Sequence, residues 1–295
     1  MRTTDLADGP ASTARASVPG TTAAPASRLP LAAYAPRSPR RRIGEWEVLA
    51  VPGREPGQGH LLGPQFPSAS PGDWGRARLL DAGGGWPESR WRPWAYAFVV
   101  RGHGRLILVL EGSAVGASIR QHLADHAIAA SEIDTVVLGR PGHVAEGAVL
   151  TASGRPVFRR ARHLVRWSDL RDRPLIGSPS PVGRLAAFGL LDIVDGQTTV
   201  AGEEDGPAVT LLAPGDAPPG RPFLRVSAPG ATLLLTRDLF AHAVQLVNPD
   251  IAFVGEGDSE VARCARWRVV HRARRERTVL AVPRLGDPFV SFVAG

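Results

Sequence analysis

The stretch from Asp134 to Gly147 narrows the possible folds more than any other. Four residues, Thr135-Val136-Val137-Leu138, are apolar or β-branched, and Gly139-Arg140-Pro141-Gly142-His143 follow at once. So short an apolar run, closed by glycine and proline, reads as a buried strand entering a tight turn. Similar runs recur at Trp46–Val51, Ala95–Val100, Leu106–Leu110, Ala161–Val165, Val209–Leu212, Thr232–Thr236 and Val279–Val282. Between them lie helical patterns. Val115–Ala129 repeats apolar residues at Ile119, Leu123 and Ile128, and Asp258–Arg277 is a long amphipathic segment with Asp258 or Ser259 as its N-cap. Strands alternating with helices in this way predict an α/β protein.

A chain of 295 residues can build one large domain or two small ones. The composition favours one domain behind a tail. Residues 1–42 are rich in Ala, Pro and Arg and hold almost no large apolar side chain, so burial cannot offset the entropy of ordering them. They are expected to be disordered, with the folded domain spanning 43–295. The tail also explains the charge. It holds seven arginines against Asp5 and Asp8, five of the formal +7, and leaves the body near neutral. A near-neutral body argues against a phosphate-binding track, so nucleic acid is not the expected partner. No run approaches a membrane span, and residues 1–42 lack the apolar centre of a secretory signal, which predicts a cytoplasmic protein without membrane contact. The single Cys264 excludes an internal disulfide and a cysteine-based zinc site.

Taken in order, these landmarks resemble the metallo-β-lactamase superfamily, from about Glu45 to the C-terminus. In that family the strand matching Thr135–Leu138 leads into a His-x-His-x-Asp-His turn around one or two zinc ions. Here Arg140, Gly142, Val144 and Ala145 stand at the ligand positions. Leu108-Val109-Leu110-Glu111-Gly112 matches the family's Leu-Val-Asp-Thr-Gly, with Leu110 in place of the carboxylate. Gly154-Arg155-Pro156-Val157-Phe158 matches the phrase after the metal turn, and an acidic, aromatic helix start is expected at Trp167–Asp172. Asp216 stands where a further ligand histidine is usual, Thr236-Arg237-Asp238 replaces Gly-Asp, and Asp287 takes a histidine position near the C-terminus. The resemblance implies an αββα sandwich, two mixed sheets facing each other and flanked by helices. Of its ligands, Asp238 alone is kept in type and register, at the carboxylate that bridges two metals.

The same matches bear on chemistry. In the family, zinc lowers the pKa of a bound water, and the hydroxide attacks an ester or lactone carbonyl. A guanidinium at position 140, about 4 Å from a divalent ion, would repel it by about 8 kcal/mol at an effective dielectric of about 20. That is comparable with a structural zinc's whole binding energy of about 10–16 kcal/mol. No cofactor is therefore expected. Arg140 is expected to bridge to Asp238 or its neighbours, with Arg237 as a second cation. Asp216, Arg237, Asp287, Trp86 and Trp94 are candidate cavity residues, the tryptophans either walling a ligand or packing against the sheet edge. His143 with Glu146, beside Asp238 and Arg140, is a candidate metal-free acid/base group. His122 and His126, four apart on a helix, superficially match a metal pair but have no third ligand nearby. The first reading is a protein of hydrolase ancestry that has lost zinc hydrolysis and binds a small molecule or runs a metal-independent reaction. The alternative is a hydrolase of an ester, lactone or thioester using one divalent ion (Zn, Mn or Mg) on Asp216, Asp238 and Asp287. Nucleic-acid processing is third.

Overall fold

The first strand, β1, spans Arg40–Ile43 and pairs antiparallel with β2, Trp46–Val51. The sheet thus begins three residues inside the segment assigned to the tail. Arg40, Arg41 and Arg42 keep their side chains in solvent while their backbone completes the β2 ladder, so composition conceals the strand. The computed structural model describes residues 38–53, 59–110, 119–139, 146–170, 180–212 and 224–292. Residues 1–37 of the expected tail lie outside them.

A short ribbon follows, β3 (His60–Leu61) with α1 (Leu62–Gln65), then α2 (Pro71–Leu80) and β4 (Arg90–Trp91). Glycine and proline density hides α2 in the sequence. Its start is nevertheless well specified: Pro71 opens the helix, the Asp73 N–H donates to Ser70 Oγ, and the Asp73 carboxylate accepts from the Ser70 N–H, a closed capping box. The chain continues through β5 (Ala97–Gly102), β6 (Arg105–Leu110), α3 (Ile119–Asp125), β7 (Thr135–Leu138), α4 (Glu146–Val149), β8 (Arg162–Arg166), α5 (Trp167–Leu170), α6 (Pro181–Ala187) and β9 (Leu191–Val194). The β5–β6 hairpin turns on His103 and Gly104 with φ of 49° and 70°, the paired positive values that match the twist of a two-residue hairpin. The second half adds β10 (Thr198–Gly202), β11 (Ala208–Leu211), β12 (Leu224–Ala228), β13 (Ala231–Leu235), α7 (Val244–Val247), α8 (Ser259–Glu276), β14 (Val279–Ala281) and β15 (Phe289–Val290).

The strands form two mixed sheets. One runs β1-β2-β5-β6-β7-β8-β9, antiparallel as far as β6 and parallel from β6 to β9; the other runs β10-β11-β12-β13-β14-β15, with β13 and β14 parallel. Strand alternation sorts side chains between layers. In β2, Val48 and Ala50 join the core between the sheets, whereas Leu49 and Val51 join the core beneath α3 and α6. In β6 the same division separates Ile107 and Val109 from Leu108 and Leu110. Both faces are covered, which is why these strands read as unbroken apolar runs. A third core packs α2, α7 and α8 on the outer side of the second sheet, around Trp74, Val244, Val270 and Leu280. The layers are therefore αββα, as expected from the sequence.

Helix α8 starts on Asp258, whose Oδ1 accepts from the Val261 N–H, and stops at Arg277 in the left-handed region. Its arginines are not all on the solvent face. Arg266 is fully buried and donates to Glu256 Oε2 at 2.6 Å and to the Pro249 carbonyl at 2.9 Å.

Candidate functional site

Asp169, on α5 just after β8, and Arg237, just after β13, face each other with Oδ2 and Nη1 3.6 Å apart. This pair brings the C-terminal ends of the two sheets to one edge. Segments 111–118, 140–145, 171–179 and 213–223 follow β6, β7, α5 and β11. Arg140, His143 and Asp216 fall in them and lie outside the described residues, and Glu146 is described only as the first residue of α4.

The turn after β13 is tight. The N–H of Thr236 donates to the Ala281 carbonyl at 3.0 Å, which fastens it to β14. Arg237 then takes φ of 53°, a backbone that costs an L residue about 1–2 kcal/mol, at the position where the resembling family has glycine. Its guanidinium is buried, only 4% exposed. Arg166, at the end of β8, is buried beside it and donates from Nη2 to the Gly196 carbonyl at 2.9 Å. Burial lowers the pKa of Arg166, with the Arg237 charge adding to that, while Asp169 and Asp195 pull it back up. Two guanidiniums thus flank the Asp169 carboxylate. Asp238, next along, is half-buried at φ −85° and ψ 20°, in the sparsely populated bridge region. Uncommon backbone of this kind concentrates at functional positions.

The loop after β14 reaches the same edge and meets the loop after α2. Asp81 is buried between them. Its Oδ1 accepts from the Gly83 N–H at 3.2 Å and its Oδ2 from the Gly286 N–H at 2.9 Å. Burial pushes the Asp81 carboxyl up and the Asp287 charge adds to this, against backbone donors that favour the anion. Asp287 itself is exposed, its Oδ1 accepting from the Phe289 N–H at 3.0 Å. His242 is buried in an aromatic box of Phe66, Trp74 and Trp91. Its Nε2 lies 3.0 Å from the Gly84 carbonyl, and its Nδ1 accepts from the Val244 N–H. That pairing fixes a neutral ring with the proton on Nε2. Above these supports, Gly83–Gly85, Arg90–Arg92, Trp94 and Arg284 line a half-open cavity of about 200 Å³.

Of the described residues named from the sequence, Arg237 and Asp238 share one turn, Trp94 lines the cavity and stacks on Tyr96, and Asp287 sits by its Asp81 support. Trp86 stands apart, on the surface under the Arg78 guanidinium at 4.0 Å. His122 lies near Asp125, and His126, beyond the end of α3, bonds Ser38 Oγ at 2.7 Å. Asp169, Arg166, Asp81 and His242 were not foreseen. A cation closing the apolar run of β8, and an acid two residues into the next helix, were the signals for the first two. Among the described residues, no group of three or more His, Cys, Asp or Glu side chains is placed to hold a metal ion.

No protein-family model matches the sequence, and no curated protein matches it. Solved structures do. AidC, a dizinc quorum-quenching lactonase in complex with a product, superposes with a TM-score of 0.63 at 16% identity over 86% of this chain and 96% of its own. AbOPH, a hydrolase in the β-lactamase superfamily, gives 0.62 at 13% over 86% and 96%. A probable metal-dependent hydrolase from Staphylococcus aureus gives 0.61 at 11% over 86% and 98%. At these identities the likeness is one of backbone architecture, and with the two facing mixed sheets and their outer helices it shows that this chain has the metallo-β-lactamase fold.

Proposed function

We propose that this chain descends from metallo-β-lactamase-fold hydrolases and binds a small organic molecule at the shared edge of its sheets, without the zinc pair of that chemistry. The observation that carries this reading is Arg237. A buried guanidinium stands immediately before Asp238, the one retained carboxylate, and faces Asp169 at 3.6 Å. A cation fixed there disfavours a divalent ion nearby and supplies positive charge of its own. With Arg140, Gly142, Val144 and Ala145 at the other matched positions, the donor set does not suit two zinc ions. What remains is an edge whose two buried guanidiniums, Arg166 and Arg237, can hold an acceptor-rich ligand by charge-assisted hydrogen bonds. His143 with Glu146 is the acid/base group available for a metal-independent step.

The competing reading is metal-dependent hydrolysis of an ester, lactone or thioester. It draws on the hydrolases of the same fold and requires Asp216, Asp238 and Asp287 to share one ion. Elemental mass spectrometry of the chain purified without chelator separates the two, read beside turnover of an aryl-ester and lactone panel by wild type and Asp238→Ala. Our reading expects a metal content far below one ion per chain and no Asp238-dependent hydrolysis. One or more retained ions with hydrolysis lost in Asp238→Ala would replace it with the hydrolase.

A further inference from the structure

We infer that the cavity beside the Gly83–Gly85 loop is a site for a small aromatic anion, a carboxylate or phosphate carried on a ring. The inference rests on the reading of this edge as a small-molecule site and adds the chemical class of its ligand.

Charge is the first argument. Arg90, Arg92 and Arg284 all line the cavity, and no carboxylate side chain lines it among the described residues. Guanidiniums pair with carboxylate and phosphate through two parallel N–H donors, so three around one opening select for an acceptor-rich anion. Shape is the second. Trp91 and Trp94 contribute to the wall, and each is largely buried. Trp91 is held edge-on by His242 and Phe253, with centroids 6.0 Å away in both cases, and Trp94 stacks on Tyr96 at 5.7 Å. Flat, immobilised indoles favour a flat apolar body on the ligand. At about 200 Å³ the space falls below the roughly 300–1,000 Å³ of sites for drug-sized ligands, which points to a single ring with its anionic group.

The third argument is that the floor is built to hold still. Asp81 fixes Gly83 and Gly286 from beneath, His242 fixes Gly84, and the Tyr96 hydroxyl donates to the Gly286 carbonyl at 3.0 Å. The glycines are required by this closeness. A Cβ at Gly84 would lie 2.9 Å from His242 Nε2, and one at Gly85, where φ is 92°, would lie 2.9 Å from Ser89 Oγ. A wall ordered before the ligand arrives lowers the entropy cost of binding.

The test is calorimetric titration of the full chain with benzoate and with phenyl phosphate, using benzamide as the neutral counterpart. Arg284→Ala and Arg92→Ala are compared with Arg272→Ala, a charge-matched control on α8, after circular dichroism has verified folding. Arg92 is exposed, so its variant keeps the test open should Arg284→Ala fold poorly. At least one anion is expected to bind, about ten- to hundred-fold more weakly to the Arg284 and Arg92 variants and unchanged to the control. Benzamide binding as tightly as benzoate overturns the anionic class while leaving the small-molecule reading in place. Anion binding that survives loss of both Arg92 and Arg284 places the site elsewhere and overturns the inference. No binding to a metal-free chain overturns the inference alone; no binding to a chain carrying stoichiometric metal overturns both.

Discussion

The imidazole of His242 donates from Nε2 to the Gly84 carbonyl at 3.0 Å, tying the turn before α7 to a loop 158 residues earlier. Burial depresses the pKa of this ring from 6.5 to about 4, against the pull of the Gly84 carbonyl, and burial does the same to His163 in β8. Between pH 6.5 and about 4 the unfolded chain therefore takes up protons that the folded chain refuses. Stability is full above pH 6.5 and falls on acidification, by about 3 kcal/mol for each ring once the pH is below about 4. Asp81 acts in the opposite sense over the lower part of the range, since its raised pKa lets the folded state hold a proton more tightly. Urea unfolding across this range should show the loss, and His163→Leu should flatten it by one proton.

Breaking the Arg266–Glu256 pair should be among the costliest single changes in the chain. Both side chains are buried, and the Gln245 amide joins the group by donating to Glu256 Oε2 at 3.4 Å while also donating to the Ile251 carbonyl at 3.0 Å. Arg266→Ala should cost about 3–5 kcal/mol, because it leaves a buried carboxylate without its cation. Arg266→Met with Glu256→Leu should recover most of that loss. What stays lost is the donor to the Pro249 carbonyl. Denaturant midpoints of the two single variants and the double variant give the coupling directly.

Arg237→Gly sets two effects against each other. Glycine relieves the left-handed backbone by about 1 kcal/mol, yet removes one of the two cations beside the buried Asp169 carboxylate, a loss of about 1.5–3 kcal/mol since Arg166 remains. The carboxylate wins, so the variant should be less stable than wild type by about 1–2 kcal/mol. Adding Asp169→Asn should restore most of the difference in the same unfolding assay.

Ser70→Ala opens the capping box of α2 and should cost about 1 kcal/mol, read as a lower thermal midpoint. The fold should otherwise persist.

The central strands were legible because they are covered on both faces, whereas the half-exposed β9 and β10 were not read from the sequence. Residues such as Leu106–Leu110 have to be apolar at every position, and such a run survives any reading frame. Helix α2 was not legible, since Pro71, Gly72 and Gly75 mask a start that depends on the reciprocal bonds of Ser70 and Asp73. Strand β1 was not legible either, because its residues are chosen by solvent while its structure is imposed by β2. At the edge, Arg237 and Asp238 stood out through their match to a known pattern, whereas Asp81 and His242 act through contacts with residues far away in sequence. Asp81 meets Gly286 across 205 positions, and no local spacing announces such a meeting.

The arginines of β1 give the first sheet a guarded border. Among the described residues β1 is the outermost strand of its sheet, and three consecutive positive charges along it repel a second copy of that strand, which makes it a poor template for fibrils. Trimming the chain where its composition changes, at Ile43, would discard that guard. It would also lay bare the ladder groups of Trp46–Val51, an apolar strand with no charge except Glu47, and convert a soluble border into a seed for aggregation.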